Sequence, residues 1–130
     1  MYQSEIASRL VGSIWLRVIG AVCVLAIAIL SLTPGDLQVR SGLRGLLEHI
    51  AAYGITAIAI TIGARSGRFP GAVIATLVAF SGLMEALQFW APGREPAFMG
   101  FLSSSLGATT GALLAYVVRH RLETSAVQRQ

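Results

Sequence analysis

Four apolar runs divide the chain, at about 14–32, 45–63, 71–90 and 100–118. Each is long enough for a helix to cross the ~30 Å hydrocarbon core of a bilayer. Apolar and polar residues do not alternate along the runs, which argues against the strands of a membrane β-barrel. The pattern predicts an all-α fold: a four-span transmembrane helical bundle forming one domain over 14–118, with a segment 1–13 before it and a polar tail 119–130 after it. In the first segment Glu5 and Arg9 are four apart, and Ile6, Leu10 and Val11 mark a face suited to a short interfacial helix. The first run has Arg17 near its start, placed to snorkel toward headgroups. It is longer than a signal-peptide core and is expected to stay as a span. The tail is expected to be poorly ordered.

Thr33-Pro-Gly-Asp36 closes the first run and Ala91-Pro-Gly-Arg94 closes the third. Both read as turns with Pro in the second position and Gly in a positive-φ third position. Gly42 and Gly45 blur the start of the second helix. Trp90 stands where an interfacial aromatic would sit.

Composition strengthens the membrane reading. Charged residues make up only 12% of the chain and the mean hydropathy is +0.70, so there is too little polar surface to clothe a soluble domain of this size. Every basic residue is Arg, and most flank the spans. Arg9, Arg17, Arg65, Arg68, Arg119, Arg121 and Arg129 fall on one side, against Arg40, Arg44 and Arg94 on the other. That excess predicts both termini in the cytoplasm and both Pro-Gly turns facing outward. No Arg-plus-aromatic pattern for base stacking is visible, and no nucleic-acid partner is expected. Cys23 is alone in an apolar run, so it forms no internal disulfide and reads as a small buried residue.

The third run carries polar groups inside its apolar length. On a helix Ser81, Glu85 and Gln88 look out from one face, and an ionisable group at membrane depth marks a functional site by default. Glu48 and His49 enter the second span ~5 to 6 Å below its outer edge, and Glu85 sits ~7 to 8 Å below the same face. Tyr53 follows His49 by one turn, with Thr56 and Ile60 continuing that line. Ser103, Ser104 and Ser105 begin the fourth span at a matching height. The expectation is a polar pocket open to the outer leaflet and rimmed by Arg94, Arg40 and Arg44. In it Glu85, His49 and Glu48 are the proton-handling candidates, and Tyr53, Gln88, Arg94 and Ser104 the binding ones.

A carboxylate beside an imidazole suits general acid–base work; the same residues also suit an ion pair, Glu85 with His49 or Arg94, that locks two helices together. No metal is expected, because Glu48 and His49 diverge by about 100° on a helix, and no cofactor is expected. The serine trio reads as backbone-bonding, packing residues. In the fourth run Ser103, Gly107, Gly111 and Ala115 form one small-residue ladder, and Gly100, Ser104, Ala108 and Ala112 a second. Such ladders let helices approach closely, within this bundle or at the seam of a homo-oligomer or a membrane partner.

Taken in order, Ser31-Leu-Thr-Pro34, Glu48-His-Ile-Ala-Ala-Tyr53-Gly, Glu85-Ala-Leu-Gln88, Pro92-Gly-Arg94 and Gly107-Ala-Thr-Thr-Gly111 resemble the VanZ-like membrane proteins over about residues 30 to 115. The resemblance implies a small four-span protein of the bacterial inner membrane, in a family named for a member that lowers susceptibility to the glycopeptide teicoplanin. It brings no settled reaction. It marks His49, Tyr53, Glu85, Gln88, Pro92, Gly93 and Arg94. Where many members carry an Asp and, four residues later, an Asn early in the last helix, this chain has Gly100 and Ser104.

Two functions follow as expectations. One is action on, or binding of, a cell-envelope lipid or glycolipid headgroup at the outer leaflet. The other is a non-catalytic accessory subunit packed against a larger membrane complex. Transport has little room in four short spans without broken helices.

Overall fold

The computed structural model describes residues 2–37, 42–64 and 69–127. Arg40, Arg65, Arg68 and Arg129 lie outside them, as do the side chains of the N-terminal segment and of Arg44. Among these described residues there are four α-helices: α1 Tyr2–Leu32, α2 Gly42–Gly63, α3 Gly71–Leu87 and α4 Phe98–Val127. Short 3-10 turns, Gly35–Leu37 and Gln88–Trp90, follow α1 and α3. The apolar stretches Ile14–Leu32, Gly45–Gly63, Gly71–Trp90 and Phe98–Arg121 are each long enough to span a bilayer. The chain is a multi-span α-helical membrane protein.

Two expectations change at the ends. Residues 2–13 form no separate interfacial helix but the first turns of α1. The tail is not loose through most of its length, since α4 continues to Val127. Beyond Gly111 the chain carries no glycine or proline to break that helix, and Arg, Leu, Glu and Ala favour it.

The four helices alternate in direction, so α2 and α4 run parallel and form the central pair, with α1 on α2 and α3 on α4. Lipid offers no hydrophobic drive for helices to associate, so close approach must come from small residues. A Cβ on Gly107 would stand 2.3 Å from the Ile50 carbonyl oxygen, and one on Gly111 would stand 2.3 Å from that of Gly54. Hydrogen atoms at these two positions are therefore what lets α4 lie on the α2 backbone. Ser103, Gly107, Gly111 and Ala115 are all buried; the first small-residue ladder faces inward. Ala57, Ala108 and Ala112 continue the dry core beside Tyr53, Ile27 and Leu77.

Helix ends expose carbonyls with no partner in their own helix, a serious cost in hydrocarbon. Arginines from elsewhere in the chain answer them. Arg17 Nε donates to the Gly63 oxygen at 2.8 Å and Arg119 Nη1 to the Ala64 oxygen at 2.5 Å, both at the end of α2. Arg94 Nε donates to the Thr33 oxygen at 2.8 Å, and its Nη2 to the Leu30 oxygen, at the end of α1. Each guanidinium also meets the negative end of a helix dipole.

Candidate functional site

The two Pro-Gly turns lie against each other. Gly93 has φ 69° and the Arg94 amide donates to the Ala91 oxygen at 3.2 Å, the turn expected from the sequence. The first turn differs. Among the described residues Gly93 alone has a positive φ, and Gly35 instead begins a 3-10 turn in which the Leu37 amide donates to the Pro34 oxygen. Gly35 is there for space: a Cβ on it would run into the Gly93 carbonyl, and its amide donates to the Pro92 oxygen at 3.0 Å.

Beneath these turns three helices bring polar groups together. His49 Nδ1 of α2 shares a hydrogen bond with Ser104 Oγ of α4 at 3.0 Å. The Tyr53 hydroxyl, one turn along α2, is hydrogen-bonded with both Ser104 and Ser81 of α3, and the Glu85 carboxylate is near enough to act on it electrostatically. Tyr53, Ser81 and Ser104 are 2%, 1% and 1% exposed, whereas His49 and Glu85 are partly exposed. The accessible members of the set are thus an imidazole, hydrogen-bonded to the buried hydroxyls, and a carboxylate that acts on the Tyr53 hydroxyl through space. The Tyr53 ring packs 6.3 Å from that of Phe80.

Glu85 has a second task. Its Oε2 accepts from the Ala97 amide at 3.0 Å, just before α4 begins. A carboxylate at that point satisfies an orphan donor and complements the positive end of the helix. Gly100 makes room for it, since a Cβ there would lie 2.5 Å from Glu85 Oε1.

The remaining sequence-derived residues fall elsewhere. Glu48 is exposed on the outward side of α2, rotated about 100° from His49, and does not join the set. Arg94 is buried on the carbonyls that end α1 rather than standing on a rim. Gln88 is buried in the 3-10 turn after α3. Thr56 turns its hydroxyl back to the Ala52 oxygen at 2.7 Å, a helix-internal bond. Ser103 is buried, and Ser105 Oγ is buried with no hydrogen-bond partner among the described residues. Ser81, placed by its spacing on the polar face but given no role of its own, is a direct partner of Tyr53. The capping roles of Arg17 and Arg119 carried no sequence signal, because they depend on which helix ends stand side by side. Among the described residues no three His, Cys, Asp or Glu side chains gather as a metal site would require.

Chemically, a serine within hydrogen-bond reach of an imidazole meets one requirement of nucleophilic catalysis. Ser104 is too deeply buried to meet a substrate, so the arrangement suits hydrogen bonding that fixes the imidazole, with the carboxylate acting on the Tyr53 hydroxyl through space. Comparison with models of known families, with curated proteins and with solved structures gives no match.

Proposed function

We propose that the chain is a VanZ-like protein of the bacterial inner membrane, with both termini in the cytoplasm, that binds the headgroup of a cell-envelope lipid or glycolipid in the outer leaflet. The arginine distribution supports that orientation. The observation that carries the reading is the hydrogen-bonded line from His49 through Ser104 to Tyr53, with Glu85 alongside. Glycine contacts already hold α4 on α2, so packing alone does not call for polar groups at this depth, where they are costly. His49 and Glu85 meet the headgroup, and the buried trio holds them at a fixed spacing.

Native mass spectrometry of protein purified in mild detergent tests this by reading the retained lipid. Tyr53→Phe keeps the ring against Phe80 and removes the hydroxyl; His49→Gln removes the imidazole. Both are expected to lose a lipid that the unaltered protein retains, at normal membrane abundance. Equal retention by all three proteins would falsify the headgroup reading, and a stoichiometric protein partner in place of lipid would point to the accessory-subunit role.

A further inference from the structure

α1 and α3 run parallel but touch little, and between them lies a cleft of about 280 Å³ with a wholly apolar wall. Val24 of α1 forms one side, Ile60 of α2 the floor, and Val73, Thr76, Leu77 and Phe80 of α3 the other side. An engineered apolar cavity of ~150 Å³ already stays dry and admits benzene, so hydrocarbon is the natural filling of a larger one at membrane depth.

The cleft's length and its charge narrow the occupant. It begins at Ala72, one residue into the third span, and ends at Phe80 near the span's middle. That is ~12 Å along a helix, close to the ~15 Å of hydrocarbon in one leaflet. Arg17 lies at the same end, two turns from Val24 on one face of α1, with its Nε on Gly63 at the close of α2. Arg17 is exposed, and a guanidinium has four N–H groups beyond the one Gly63 receives. We propose that the cleft seats one acyl chain of an anionic phospholipid from the leaflet opposite the Pro-Gly turns, with the lipid phosphate against Arg17. Guanidinium and phosphate pair through charge-assisted, often bidentate hydrogen bonds. The cleft wall is built mainly of Val, Ile, Leu and Phe rather than the small residues on which a partner helix would lie. This site is at the other end of the bundle from His49 and Glu85, and it rests on the membrane-spanning fold, not on the headgroup reading.

The test uses the full chain in lipid nanodiscs doped with phosphatidylglycerol or phosphatidylcholine carrying a photoreactive group on one tail. Adducts from phosphatidylglycerol should map to residues 72–80 and to the neighbourhood of Val24, in preference to the exposed Val22 and Leu25. Thr76→Trp fills the cleft from an exposed position and should remove those adducts. Arg17→Gln should cut the preference for phosphatidylglycerol about tenfold, the loss of one charged hydrogen bond. His49→Gln should leave the labelling unchanged, which separates this site from the headgroup site. If Arg17→Gln does not accumulate, Thr76→Trp still decides the matter. Labelling spread evenly over the exposed helix faces, equal labelling of the cleft by both lipids, or crosslinks to a second polypeptide over the exposed Ala75 and Ala79 would each overturn the proposal.

Discussion

A Cβ on Gly35 would stand 1.8 Å from the Gly93 carbonyl oxygen. The neighbour is backbone and cannot swing aside, so Gly35→Ala must part the two Pro-Gly turns. The expected cost is about 1–3 kcal/mol, the range for overpacking, read as lost resistance to unfolding in mixed micelles. Wild-type resistance would mean the turns are not held in contact.

Glycines along the helices should respond in a graded way. Gly107→Ala and Gly111→Ala drive a methyl group into the α2 backbone and should each cost about 1–3 kcal/mol. The displacement should also weaken the His49–Ser104 contact, visible as a shift of the His49 imidazole resonances. Gly45 has nothing within 4 Å of its added Cβ, and Gly45→Ala should be neutral or stabilising by up to ~1 kcal/mol through helix propensity. An equal response at Gly45 and Gly111 would contradict the observed packing of α4 on α2.

Arg94 separates a capping role from a charge-reading one. Its fork reaches two carbonyls at the end of α1, and lysine offers a point charge without that geometry. Arg94→Lys should therefore destabilise by about 1–2 kcal/mol, nearly as much as Arg94→Gln. Full rescue by lysine, measured by thermal unfolding in detergent, would favour direct contact with a lipid anion.

For Glu85 the two substitutions should diverge. Glu85→Gln keeps an oxygen to accept from the Ala97 amide, whereas Glu85→Ala leaves that donor unanswered at a cost of about 1–2 kcal/mol. Lipid retention should fall in both if the carboxylate charge meets the headgroup. Gly100→Ala should displace Glu85 with a smaller stability loss, because the group it meets is the end of a flexible side chain.

Hydropathy alone located the four spans, because the bilayer imposes a length on any apolar helix. Helical spacing placed Ser81 and Glu85 on one face, and counting residues from the span ends put His49, Glu85 and Ser104 at one level; these are local properties of a sequence. Whether Arg94 stands over a pocket or ends α1 depends on a contact across 61 residues of chain, which no local pattern encodes. The same limit applies to Gly35, whose space requirement is set by Gly93. Glu48 and His49 diverge by helical geometry, but which of them turns inward is decided by Ser104 on another helix.

The last carbonyls of α1 receive their donors from Arg94, and Arg119 serves the end of α2. During synthesis the chain emerges from its N-terminus first, so each of these helices enters the bilayer before its arginine exists. The first hairpin is thus completed retroactively by residues from the second, and a truncation before residue 94 would leave the end of α1 without Arg94 and the end of α2 with Arg17 but without Arg119.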